Sequence, residues 1–145
     1  MTRPVVRNAV QIGRVGELLA QAFFEESYKT ARVNHEGFDL LVFDDDGEPY
    51  RVEVKAASQA HAKSYKFATA TGSGSKKLLS PSKCDIVALV AIDLRRMVVK
   101  DVTELKHKRT SVATSRFLDV PETTQIRKAI ARARERKNEQ KTNRT

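Results

Sequence analysis

Nine residues, Asp85–Asp93 (DIVALVAID), run apolar almost without a break. A strand with one wet face alternates apolar and polar residues; a short run that does not alternate is the profile of a central strand buried on both faces. At 145 residues the chain can surround such a strand with a single core. The other periodic segments fit around it. Ile12, Val15, Leu19, Ala22 and Phe23 recur at helical spacing over residues 12–26. Residues 28–34, Phe38–Phe43, Tyr50–Ala57 and Met97–Val102 read as strands, the last reached through a turn at Leu94–Arg96. Tyr65, Phe67 and Thr69 alternate with Lys66, Ala68 and Ala70 in a further strand, and the small residues Thr71–Ser75 read as a flexible loop. Pro121–Glu139 reads as a terminal helix with a narrow stripe of Ile126, Ala129, Ile130 and Ala133. The expected fold class is α/β: a mixed central sheet flanked by helices over residues 1–120, with a basic C-terminal helix and tail over 121–145.

Charge narrows the partners. The net charge is +9 with a pI near 9.9, which points to a polyanion and most often to nucleic acid. From Glu122 to Thr145 eight Lys or Arg stand against three Glu, which places +5 of the +9 in the last segment. Its apolar stripe holds only Ile and Ala, too little for a membrane surface. No stretch is long enough to span a bilayer and the N-terminus lacks a signal-peptide core. A soluble protein of the cytoplasm is expected, in a prokaryotic cell or a phage-infected host. The lone Cys84 excludes an internal disulfide, and beside Lys83 and Asp85 it reads as a buried structural thiol.

The chemistry concentrates between Gly37 and Ala57. Arg51, Glu53 and Lys55 alternate with Val52, Val54 and Ala56, so the three charged side chains share one face of a strand. Centring the Asp-Gly turn near Asp46 sets Phe43 opposite Pro49 and Asp39 opposite Glu53. Opposed residues have Cβ atoms roughly 5 Å apart. Two carboxylates at that spacing repel, a fold gains nothing from them, and a divalent cation would remove the conflict. Asp44, Asp45, Asp46 and Glu48 compete as ligands, but they lack calcium-loop spacing and read as a solvated turn facing away from DNA. Glu17 stands in a helix row with Gly13, Ala20 and Phe24, at the edge of the core or else solvated beside Arg14 and Gln21. His35 and Gly37 form the turn before Asp39, with Gly37 suited to a positive φ and His35 exposed. Ser58, Gln59, His61 and Lys63 follow the charged strand.

An Asp, a spacer and then Glu-x-Lys resembles the signature of the PD-(D/E)xK nuclease superfamily. Gly37-Phe38-Asp39, the Asp-Gly loop, Arg51-Val52-Glu53-Val54-Lys55 and Gly16-Glu17 on the first helix carry the likeness, which spans about Gly13 to Ala57. The Pro that gives the motif its first letter is replaced by Phe38. Two branches are similar: the small homing endonucleases of group I introns and phages, and the archaeal-type Holliday junction resolvases. The second ranks lower, because Leu18 follows Glu17 where resolvases usually carry Arg.

The resemblance implies a restriction-endonuclease-like core and hydrolysis of a DNA phosphodiester. Asp39, Glu53, the Val54 carbonyl and Glu17 would hold Mg²⁺ or Mn²⁺ through hard oxygens. Lys55 would orient the attacking water and stabilise charge, since neighbouring carboxylates do not suit a Lys that acts as a base. Lys63, Lys76, Lys77, Arg127, Lys128 and Arg132 are the candidate DNA contacts. Cutting two strands implies a homodimer or a larger homo-oligomer. The reading from a different class is a basic domain that grips nucleic acid without cutting it.

Overall fold

The computed structural model describes residues 8–35, 38–72 and 75–143. Helix α1 (Ala9–Glu25) opens under an Asn8 cap, whose side-chain oxygen accepts from the N–H groups of Val10 and Gln11. Strands β1 (Lys29–His35), β2 (Phe38–Phe43) and β3 (Pro49–Ala57) follow as an antiparallel meander. Strand β4 (Ser64–Ala68) and the short β5 (Ala70–Thr71) and β6 (Lys77–Leu78) come next. Then β7 (Ile86–Ala91) and β8 (Arg96–Asp101) form a second antiparallel pair. A 3₁₀ turn at Val102–Glu104, β9 (Arg109–Ala113), the short α2 (Arg116–Asp119) and α3 (Glu122–Asn143) complete the chain.

The central sheet has the order β1-β2-β3-β7-β8, and it is mixed because β3 and β7 run parallel. This is the expected α/β layout, with β7 buried at every position. Leu40, Val42, Tyr50, Val52, Val54, Ile86, Ala88, Val90, Met97 and Val99 face α1 and α3 on one side. On the other side Val87, Leu89, Ala91 and Val98 are covered by a two-stranded sheet, β4 with β9, and by Phe117 of α2. Tyr65 meets Phe117 edge-on at 5.0 Å between ring centres.

Three expectations change. The Thr71–Ser75 loop is partly strand, since Ala70–Thr71 pairs with Lys77–Leu78. Strand β9 and helix α2 have no counterpart in the periodicity, because RTSVA is short and mostly exposed and gains its place by pairing with β4. His35 ends β1 and pairs with Phe38. Its side chain, Gly37 and Gly74 lie outside the described residues. Cys84 is buried and free, and burial pushes its thiol up to about 12, so it stays protonated and inert as expected. Among the described residues no helix is long and apolar enough to cross a membrane.

Candidate active site

The β2–β3 turn sets the register. The Asp44 carbonyl accepts the Gly47 N–H at 2.9 Å, and Gly47 takes φ +81°, a value that suits a residue without Cβ. Phe43 then pairs with Pro49 and Leu40 with Val52, as the turn position predicts. The ladder stops one pair short of Asp39 and Glu53. In its place the Asp39 carboxylate accepts the Val54 N–H at 2.8 Å, so a side chain caps the strand end.

Odd and even positions of β3 separate the core from the chemistry. Val52 and Val54 are buried under α1, while Glu53 and Lys55 point to the opposite face, where Ala57 and Phe38 meet the second core cluster. Lys55 Nζ lies 3.6 Å from a Glu53 oxygen, with both side chains largely sheltered. Glu17 arrives from α1. Gly16 makes that approach possible, since a Cβ there would come within 2.5 Å of the Ala56 Cβ. Glu17 also pairs with Arg32 of β1 at 3.5 Å. It is therefore a partly buried carboxylate at the edge of the core, and its cationic partner is Arg32 and not Arg14.

Asp39 is the hub, because its carboxylate lies close enough to those of Glu17 and Glu53 to raise both. Burial, then the charge of Asp39, pushes Glu53 up to about 8, although Lys55 opposes the shift. Burial, then the hydrogen bond and charge of Asp39, raises Glu17 to about 7 against the opposing effect of Arg32. Three acids thus converge with fewer positive charges than they need.

Among the described residues no group of three or more His, Cys, Asp or Glu is arranged to hold a metal ion as it stands. A Mg²⁺ site does not require such a cage, since this ion keeps several waters and takes one or two carboxylates. The hard oxygens of Asp39 and Glu53, close to each other beside Val54, suit that mode.

The acidic turn is not solvated throughout. Asp44 is 6% exposed. It accepts from the N–H groups of Asp46 and Glu48, from the Tyr50 hydroxyl and from Arg134 at 2.7 Å. Burial alone would raise its pKa, but the Glu48 N–H, Arg134, Tyr50 and the Asp46 N–H together hold it below the usual carboxylate range. Asp85, 2% exposed, behaves in the same way: burial opposes ionisation, and Arg51 and Lys137 prevail. Arg136 pairs with both Asp85 and Asp101, and Lys137 stacks over the Tyr50 ring at 4.8 Å. Arg134, Arg136 and Lys137 of the basic terminal helix are therefore tied into the fold.

The six proposed DNA contacts do not form one patch. Lys63 is exposed in the turn before β4, and Lys76 and Lys77 are exposed at β6. Arg127, Lys128 and Arg132 lie on α3, which packs on β8, and Arg132 pairs with Glu104. Arg32 escaped the sequence reading because its partner lies fifteen residues away on another element.

No family model matches the chain, and no curated protein does. The fold does have a counterpart among solved structures. The chain is similar in fold to a bacterial homing endonuclease. The structure of that enzyme, I-Ssp6803I, matches with a TM-score of 0.57 over 74% of this chain and 79% of its own, at 11% sequence identity. At that identity the likeness is one of fold.

Proposed function

We propose that this protein is a metal-dependent DNA endonuclease of the homing type, acting as a homodimer or larger assembly. The observation that carries the reading is the convergence of Glu17, Asp39 and Glu53 beside Lys55. The fold it shares with a homing endonuclease supports the reading. The PD-(D/E)xK pattern of Asp39, Glu53 and Lys55 agrees with it.

Mg²⁺ or Mn²⁺, held through Asp39, Glu53 and the Val54 carbonyl with Glu17 as a further ligand, would supply Lewis-acid polarisation of the scissile phosphate. The remaining steps belong to the chain. Lys55 orients the attacking water, whose oxygen bonds to phosphorus as the bond to the 3′ oxygen breaks; the water gives up one proton to solvent and the leaving 3′ oxygen takes one up from it. The Lys55 ammonium group offsets the negative charge that accumulates on the phosphoryl oxygens. Arg32 pairs with Glu17 and offsets part of its charge. Exposed cations, Lys63, Lys76, Lys77, Arg127, Lys128 and Arg132 among them, hold the phosphate backbone.

The test is cleavage of linear duplex, nicked duplex and four-way junction with Mg²⁺ and with EDTA. Wild type is expected to cut duplex only with metal, and Glu53→Ala and Lys55→Ala are expected to bind without cutting. Cleavage that persists in EDTA, or in both variants, rejects the site. Preferential cutting of the junction would favour the resolvase reading. Binding without any cleavage would favour a nucleic-acid-binding domain.

A further inference from the structure

The charged surface is sorted into clefts of different sign. The cleft beside the acidic turn gathers Glu25, Glu26, Asp44 and Asp45 against Lys29 alone. Two others, along the last turns of α3, balance their cations and carboxylates one for one. The fourth, a groove of about 410 Å³ between β8, α2 and α3, is different. It shares Lys100, Glu104 and Arg132 with one of the balanced clefts, and adds Arg116 and Lys128 with no further carboxylate.

That carboxylate is already engaged. Glu104 accepts the Asp101 N–H in a capping box and pairs with Arg132. Among the described residues Lys100, Arg116 and Lys128 have no ion-pair partner, in contrast to Arg134, Arg136 and Lys137 on the same helix, which answer buried acids. Three elements thus bring like charges together where packing gains nothing from it. Val99, Val120 and Ala129 supply an apolar floor that lowers the local dielectric and strengthens attraction for an anion.

The groove is separate from the carboxylates. Glu53, Val87 and Lys100 lie in one row across the sheet. Lys100 is therefore two strands, on the order of 10 Å, from Glu53. Val87 between them is buried beneath the β4–β9 cover.

We propose that this groove is a second contact for the phosphate backbone of nucleic acid, away from the cleavage site. The proposal rests on the nucleic-acid reading above, extends it to Lys100 and Arg116, and makes Lys128 and Arg132 part of a built surface.

The test compares wild type with the Lys100→Gln/Arg116→Gln double variant, using fluorescence anisotropy of a labelled duplex in EDTA from 50 to 200 mM salt. Losing two phosphate contacts lowers the slope of log affinity against log salt by about 2, so the affinity deficit is about tenfold larger at the low-salt end than at the high. An unchanged slope and affinity at an unchanged melting midpoint overturns the proposal. Should the double variant melt lower, Lys128→Gln on the exposed face of α3 carries the same test, with a slope change of about 1. If the variants lose affinity for inorganic phosphate by calorimetry but not for duplex, the groove is a small-anion site and the proposal is overturned. Wild type that binds duplex with the predicted slope difference but never cuts it rejects the nuclease reading and leaves the groove standing.

Discussion

Replacing Gly16 by Ala should damage the site without touching any charged group. The added Cβ would meet the Ala56 Cβ at 2.5 Å, whereas ordinary contact begins at 3.4 Å, so α1 must retreat from β3 by about 1 Å. Overpacking of this kind costs about 1–3 kcal/mol, and the better helix propensity of Ala returns about 0.8–1 kcal/mol. A net loss of about 1 kcal/mol lowers the melting midpoint by about 4 °C in a chain of this size. The larger effect is on Glu17, one residue along. Misplacing a catalytic group by about 1 Å costs up to about 100-fold in rate. Metal-dependent cleavage is therefore expected to fall by one to two orders of magnitude while stability changes little. Gly13→Ala is the control: nothing lies within 4 Å of its added Cβ, and it should stabilise by about 0.5–1 kcal/mol with cleavage intact. Adding Ala56→Gly to Gly16→Ala removes the opposing methyl and should recover part of the cleavage, with a coupling of at least about 0.5 kcal/mol in the cycle. The reasoning fails if Gly16→Ala behaves like Gly13→Ala, more stable and fully active.

Further outcomes follow from the electrostatics. Glu53 near 8 and Glu17 near 7 take up protons on folding that the ordinary pKa of 4.5 would not hold. Their contribution is full below about pH 4.5 and lost as pH rises through 7 to 8. In EDTA the melting midpoint should fall across that window, and Glu53→Gln should flatten the fall. Asp44 and Asp85 have the opposite sign: their contribution is present above the ordinary carboxylate range and lost as acid protonates them, so Asp44→Asn should weaken the acid limb of the same curve. Asp44→Ala leaves two backbone N–H groups, the Tyr50 hydroxyl and Arg134 without their acceptor, at a cost of about 3 kcal/mol by urea denaturation. Saturating Mn²⁺ at about 100 times its dissociation constant should stabilise the wild type by about 2.7 kcal/mol in a thermal shift and leave Glu53→Gln unmoved. An equal shift in both would exclude Glu53 as a ligand.

Much of this protein is legible locally. The unbroken run Ile86–Ala91 set a buried central strand, and the Asp-Gly turn set the register from Phe43–Pro49 to Leu40–Val52. Period-two alternation in β3 then placed Glu53 and Lys55 away from the core, because neighbouring side chains on a strand must point to opposite faces. What lay beyond the sequence depends on contacts between distant segments. Nothing in DDDGE distinguishes Asp44 from its neighbours until Arg134, ninety positions on, arrives to neutralise it. The basic terminal helix shows its total charge in the sequence, but only the packed helix divides it between cations that answer buried acids and cations that line the β8 groove. Glu17 and Asp39 are each readable as carboxylates. Their meeting is decided by the tertiary structure, because it needs the bare face of Gly16 against Ala56 to let the helix close on the sheet.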